Sequence, residues 1–251
     1  EAELQIYLAQ NEITAKEMAA VPTDIWVVHD PQPLPVLSFA SELHPAIWRC
    51  HIDTSRPNPK LAALLLPYIE LYDQLVFTLP EFVFPELPRE KVTFFSPAID
   101  PLSGKNIPIA RDSARRILHK LGIDPQRPLV TQVSRFDPWK DPIGVVDAYR
   151  LAREQIPSLQ LAMVGVMTAK DDPQQVAVYE DVRRHAGDDP DIHLYTEPQQ
   201  VGDIEVNAFQ TASDVIVQKS IREGFGLTVT EAMWKGNPVI GGRAGGVAVQ
   251  I

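Results

Sequence analysis

Glu223 and Glu231 stand with seven residues between them in Glu223-Gly224-Phe225-Gly226-Leu227-Thr228-Val229-Thr230-Glu231, after an apolar strand pattern at 214–218 and at the start of a helical one at about 227–235. Gly224 and Gly226 let the backbone turn sharply into that helix. Its first N–H groups, those of Gly226 and Leu227, have no partner inside the helix and carry partial positive charge, which suits a diphosphate. Glu223 lies in the turn beside that anion. Glu231, about one helical turn further on, comes within reach of ribose hydroxyls. The spacing alone fits equally well a turn whose glutamate complements the helix dipole.

A second cluster follows the strand at 128–133, in Ser134-Arg135-Phe136-Asp137-Pro138-Trp139-Lys140-Asp141-Pro142. It sets two cations at the carboxyl end of a buried strand, the edge where open α/β sheets bind ligands. Arg135 offers a planar fork and Lys140 a compact charge, a pair able to hold a diphosphate and neutralise the charge that grows on it as it leaves. The other reading of this stretch is a solvated loop with one surface ion pair. Further upstream, His29-Asp30-Pro31-Gln32 ends one strand pattern, and His51 and Asp53 end the next. Both sets of polar groups therefore gather at one sheet edge.

Taken together, the 134–140 segment and the Glu223–Glu231 segment resemble the donor half of the retaining glycosyltransferases of family four, which have the GT-B fold. His29-Asp30-Pro31-Gln32-Pro33, Trp48-Arg49-Cys50-His51-Ile52-Asp53 and Val206-Asn207-Ala208-Phe209-Gln210 narrow the resemblance to the trehalose glycosyltransferring synthases, and it runs over nearly the whole chain. The resemblance implies transfer of glucose, with retention, from a nucleoside diphosphate glucose to free glucose, giving trehalose. Catalytic roles pass to His29, Arg135, Lys140 and Glu223. Donor contacts pass to Ser134, Gly224, Phe225, Gly226, Leu227 and Glu231, and acceptor contacts to Asp30, Gln32, His51 and Asp53. His29 meets the donor glucose near its 6-hydroxyl, Glu223 its 3- and 4-hydroxyls, and Glu231 the ribose. No metal or cofactor is essential to this chemistry, a divalent cation being at most auxiliary, and a homodimer is the family expectation.

Three rival functions share parts of this pattern. A trehalose phosphorylase would use glucose 1-phosphate and leave Glu231 without a ribose to bind. An NAD-dependent dehydrogenase needs a G-x-G-x-x-G spacing that neither Gly224-Phe225-Gly226 nor 241–246 provides. The third is a non-catalytic sugar- or nucleotide-binding regulator.

Composition narrows the field from another side. The charge sum of 23 basic and 33 acidic residues is −10, so no broad basic surface favours nucleic acid or an anionic membrane, and phosphate must be met by local cations. One cysteine, Cys50, excludes an intrachain disulfide and a multi-cysteine metal site, and makes a reducing, cytoplasmic setting the default. The apolar run at 61–66 stops at Pro67, well below the ~20 residues of a membrane span. Asp189-Pro190-Asp191 has the look of a metal-binding carboxylate pair but sits in a turn with no further ligand nearby.

Strand and helix patterns alternate throughout, which predicts an α/β chain with mostly parallel sheets. The expected architecture is GT-B, two Rossmann-like doubly wound domains facing a cleft. Residues 1–97 form a partial acceptor domain, 98–125 a linker and connecting helix with a hinge at 97–108, and 126–251 an incomplete donor domain, the chain being cut short at both ends. Strands are expected at 25–28, 47–52, 74–79, 91–95, 129–133, 159–164, 192–195, 215–218 and 238–240, with helices including 34–42 and 112–121.

Overall fold

The computed structural model describes residues 2–165 and 173–251. The chain divides into two compact units, Glu1–Pro97 and Ala98–Ile251.

In the first unit, strands β1 (Trp26–His29), β2 (Ala46–Arg49), β3 (Gln74–Phe77) and β4 (Val92–Phe94) form one parallel sheet in that order. Parallel strands are buried on both faces and favour continuous apolar runs. Val28, Trp48, Leu75 and Phe77 accordingly lie in the core, and Trp48 meets Phe77 edge-to-face at 5.7 Å. Helix α1 (Ala2–Ala19) ties down the loop after β1: the Tyr7 hydroxyl donates to the Pro31 carbonyl, and Asn11 Nδ2 to that of Gln32 at 3.0 Å.

Two expectations change here. The 34–42 helix is only a 3-10 turn, Leu34–Ser38, because Pro33 and Pro35 have no N–H to give and the chain tightens through Val36 N–H to the Pro33 carbonyl. The 47–52 strand ends at Arg49, since the next outward N–H, that of His51, is taken by the Asp30 carboxylate at 2.7 Å instead of by the sheet. The apolar run at 61–66 lies in a helix that continues through Pro67. That helix, α2 (Pro59–Ile69), is capped by Asn58, and burial of Ile69 carries it past the proline.

The second unit holds β5 (Leu129–Val133), β6 (Gln160–Val164), β7 (Ile192–Tyr195), β8 (Val215–Gln218) and β9 (Val239–Gly241) in the order β7-β6-β5-β8-β9, all parallel. Helices α3 (Arg111–Lys120), α4 (Pro142–Arg153), α5 (Pro173–Ala186), α6 (Asp203–Ala212), α7 (Leu227–Trp234) and α8 (Gly245–Gln250) complete it. Strand alternation sorts them into layers. Leu129, Val133, Ala162 and Val164 face Ala114 and Leu118 of α3 and Phe209 of α6, whereas Leu161 and Met163 face Val145 and Tyr149 of α4 and Val182 of α5.

Residues 98–125, expected as a linker and connecting helix, are packed into this second unit. Asn207 Nδ2 donates to the carbonyls of Gly104 and Ile107, at 3.0 and 2.8 Å, and Arg111 pairs with Asp214. The hinge expected at 97–108 therefore has most of its length fastened to the α6 side, and the division between units falls at Pro97 and Ala98.

Candidate active site

Within the second unit, the chain leaves β5 outward to β6 and β7, then returns to β8 on the other side of β5. The carboxyl ends of β5 and β8 thus flank the topological switch point, the crevice where open α/β sheets take ligands. The loops springing from those two ends carry Lys140 and Glu223, and their side chains form an ion pair. Both are largely shielded, with 17% and 11% of the side chain exposed.

The loop after β5 reaches this point through a chain of caps. Asp137 accepts from the Trp139 N–H at 2.8 Å and starts the 3-10 turn Pro138–Lys140. Asp141, in the left-handed region at φ 46, caps α4 through the Gly144 N–H and pairs with Lys219 from the β8 loop. Gln132, buried in β5, donates to the Lys140 carbonyl at 2.9 Å. On the opposite side, Ser220 Oγ and Gln218 Nε2 donate to the Glu223 carboxylate at 3.1 and 3.4 Å. Sequence reasoning missed Gln132, Gln218 and Ser220. For the two glutamines the signal was an amide kept inside a largely apolar strand, where it would be costly unpaired.

Arg135 stands on the exposed part of the loop, paired with Asp137 at 3.2 Å, and Ser134 continues the β5–β6 ladder by donating to the Val164 carbonyl at 2.9 Å. Gly226 caps α7 at φ +86, a conformation that only glycine adopts without strain, and Leu227 opens the helix. Gln250 of α8 clips this turn by donating to the Phe225 carbonyl at 2.6 Å. A Cβ on Gly246 would come within 2.2 Å of Phe225 Cα, so α8 abuts the turn directly.

Glu231 is buried at 7% exposure and accepts from Gln210 Nε2 of α6 at 2.9 Å. Lys235 lies beside it, donating to Gln210 Oε1, Asn106 Oδ1 and the Glu231 carbonyl. Burial lowers its pKa to about 8, against the attraction of Glu231.

In the first unit, His29 Nδ1 and His51 Nε2 are 2.8 Å apart with ring planes 9° from parallel. One ring nitrogen must donate to the other, so the pair shares a proton between them. Burial lowers the His51 pKa, with Arg49 and His29 acting in the same direction and Asp30 opposing. Asp30 adopts φ 63 and bridges the two strand ends, its carboxylate on the His51 N–H and its carbonyl on Trp48 Nε1 at 2.9 Å. Gln32 is exposed, with its carbonyl held by Asn11, and Asp53 accepts from the Ser55 N–H and hydroxyl. Burial pushes the Cys50 thiol up to about 12, which removes it as a nucleophile at neutral pH.

Asp189 and Asp191 are taken up by arginines. Arg153 reaches both, at 2.6 and 3.0 Å, and Arg127 reaches Asp191 at 2.7 Å. Among the described residues no group of three or more histidine, cysteine or carboxylate side chains is placed to hold a metal ion. A cavity of about 800 Å³ lies between α4, β8 and β9 and reaches Lys219 and Ser220 of the loop after β8. Its walls are mostly apolar side chains such as Val130, Val145, Val217 and Ile240, and its polar groups lie apart from the Lys140–Glu223 pair, so the switch point is the better candidate for chemistry.

Comparison with known families decides the lineage. Residues 113–251 match the family "Glycosyl transferases group 1", and residues 1–84 match "Trehalose synthase, N-terminal domain". The chain belongs to the group 1 glycosyltransferases. Among curated members, the trehalose synthases of Pyrococcus horikoshii and Rubrobacter xylanophilus are each 49% identical over 98% of this chain, which covers 59% and 60% of their respective lengths. A trehalose phosphorylase of Pleurotus pulmonarius is 29% identical over 91% of the chain and 36% of that protein. This glycosyltransferase chain thus spans about three fifths of the length of the synthases it matches.

Solved structures agree on the fold. An α,α-trehalose-phosphate synthase (UDP-forming) from Burkholderia xenovorans superposes with a TM-score of 0.81 at 14% identity, over 99% of this chain and 65% of that one. A sucrose-phosphate synthase from Thermosynechococcus elongatus gives 0.76 at 18%, over 98% and 62%. The two parallel sheets of the glycosyltransferase are those of the GT-B architecture. No described helix is long and apolar enough to cross a membrane.

Proposed function

We propose that this chain supplies the reacting centre of a retaining glucosyltransferase that makes trehalose from a nucleoside diphosphate glucose and glucose. The observation that carries this reading is the Lys140–Glu223 pair at the switch point between β5 and β8, in a chain half identical to trehalose synthases. A diphosphate competes for Lys140, draws it off Glu223 and frees the carboxylate to accept from the donor's 3- and 4-hydroxyls. Arg135 and the N–H groups of Gly226 and Leu227 share the charge on the departing phosphate. Glu231 takes the ribose, and Ser134, Gly224 and Phe225 complete the donor side. His29 contacts the donor glucose, while Asp30, Gln32, His51 and Asp53 line the acceptor side.

Transfer proceeds on one face of the sugar. The bond from the anomeric carbon to the phosphate oxygen breaks, that oxygen takes the proton of the acceptor's 1-hydroxyl, and the acceptor oxygen bonds to the anomeric carbon with its configuration kept. No cofactor or metal is essential, a divalent cation being at most auxiliary. The setting is cytoplasmic, and the assembly a homodimer.

The test is to incubate the full-length protein with UDP-, ADP- or GDP-glucose and 13C1-labelled glucose and follow the products by NMR. Label in an α,α-1,1 linkage with stoichiometric release of nucleoside diphosphate is expected. The similarity to a trehalose phosphorylase supports the alternative. Label transfer from glucose 1-phosphate, with none from any nucleotide sugar, would establish that alternative and overturn the proposal.

A further inference from the structure

The side chains behind Glu231 have a feature that its assigned role does not use. Gln210, on α6 and wholly buried, sits between two ions of opposite kind. Its Nε2 donates to Glu231 Oε2 at 2.9 Å and its Oε1 accepts from Lys235 Nζ at 2.9 Å. An ammonium can only donate and an ionised carboxylate can only accept, so each end of the amide admits one orientation. A flip would set N–H₂ against ammonium and carbonyl against carboxylate, with Gln210 and Glu231 both buried.

The backbone carbonyl of Gln210 is held as well, by Asn237 Nδ2. Lys235 has no donor to spare for a ligand, because its three N–H groups meet Gln210 Oε1, Asn106 Oδ1 at 3.0 Å and the Glu231 carbonyl at 3.2 Å. Besides attracting Glu231 directly, its charge fixes the orientation of the amide. On Glu231 the amide commits one oxygen, and Oε1 carries no hydrogen bond among the described residues. A carboxylate on a helix turns freely about its last two torsions unless something holds it; here one oxygen is pinned by the amide, and the other keeps its acceptor capacity among the described residues.

We propose that Gln210 is the positioning residue of the nucleotide site: oriented by Lys235, it pins Oε2 of Glu231 so that Oε1 meets the ribose hydroxyls. This rests on the assignment of Glu231 to the ribose, and it adds a specificity determinant that touches no ligand itself.

The experiment is calorimetric titration of the full-length protein, wild type and Gln210→Met, with UDP or ADP and with the corresponding 2′,3′-dideoxynucleoside diphosphate. Methionine keeps the length and volume of glutamine but cannot donate. Hydrogen bonds to a charged acceptor should give the wild type roughly a tenfold to hundredfold preference for the ribonucleotide. Gln210→Met should reduce that preference below about threefold while leaving dideoxynucleotide affinity unchanged. A variant that keeps the full preference, or that weakens both ligands equally, overturns the proposal, since a merely structural residue would not act on the ribose selectively.

A wild type that binds nucleotide with no ribose preference overturns it too, and places the failure in the Glu231 assignment because it shows before any substitution. Should Gln210→Met not fold, the side-chain amide resonance of Gln210 in the wild type decides. It should shift with the ribonucleotide and not with the dideoxynucleotide, and equal shifts with both would sink the idea.

Discussion

Lys140→Met is the perturbation that bears most directly on the switch-point site. It leaves the Glu223 carboxylate, only 11% exposed, with two neutral donors, Ser220 Oγ at 3.1 Å and Gln218 Nε2 at 3.4 Å. Stranding one partner of a fully buried ion pair costs about 3–5 kcal/mol. With two donors kept and some solvent reaching both groups, roughly 2 kcal/mol is expected. In a chain of this size that lowers the melting temperature by about 4–8 °C. Replacing both ions, as Lys140→Met with Glu223→Leu, should return stability to within ~1 kcal/mol of the wild type, because no charge is left without a partner. The assay is thermal and urea unfolding of the wild type and the two variants, repeated at about 1 M salt, where the Debye length falls to ~3 Å. The deficit of the single variant should persist there. A Lys140→Met protein that melts with the wild type, or a deficit that vanishes in salt, would mean a screened surface contact and would refute the argument that these two loops build a shielded charged site.

Three further outcomes follow from other parts of the structure. Asp30→Ala should cost about 2 kcal/mol by stranding the His51 N–H and placing alanine at φ 63, whereas Asp30→Asn, which accepts the same bond and tolerates that backbone, should cost under ~1 kcal/mol, both read by urea unfolding. The His51 imidazole should titrate below its ordinary value in NMR spectra, and lower still in Asp30→Asn, which removes the one charge that favours its protonated form. Because the unfolded chain then binds the proton more readily, the His51 contribution makes stability rise with pH from the folded midpoint up to about 6.5 and level off above it. Lys235 acts in the alkaline range: with its folded pKa lowered to about 8 from 10.5, the stability of the wild type relative to Lys235→Met should increase between pH 8 and pH 10.5, and a flat difference across that window would contradict its burial as the cause.

Element type was the legible layer. The strands at 129–133, 192–195 and 215–218 lie where their β-branched runs and flanking turn residues put them, and the glycines at 224 and 226 mark the sharp entry to α7. Element ends were less legible where a distant group competes for the backbone. β2 stops because Asp30, 21 residues earlier, takes the His51 N–H, and the 34–42 helix shrinks because three prolines in 31–35 leave too few donors. The role of 98–125 could not be read from local pattern at all, since it depends on Asn207 closing over two carbonyls about 100 residues away.

For the site, residue types and spacing by themselves determined that Arg135, Lys140, Glu223 and Glu231 stand on loops and a helix after two strand ends. Only the tertiary structure decided the partnerships: Lys140 with Glu223, Lys219 with Asp141, His29 with His51, and Gln210 between Lys235 and Glu231. Spacing along a chain reports neighbours within one strand or one helical turn. Which charge meets which is set by sheet order, and the return of the chain from β7 to β8 brings together two loops 83 residues apart that nothing local connects.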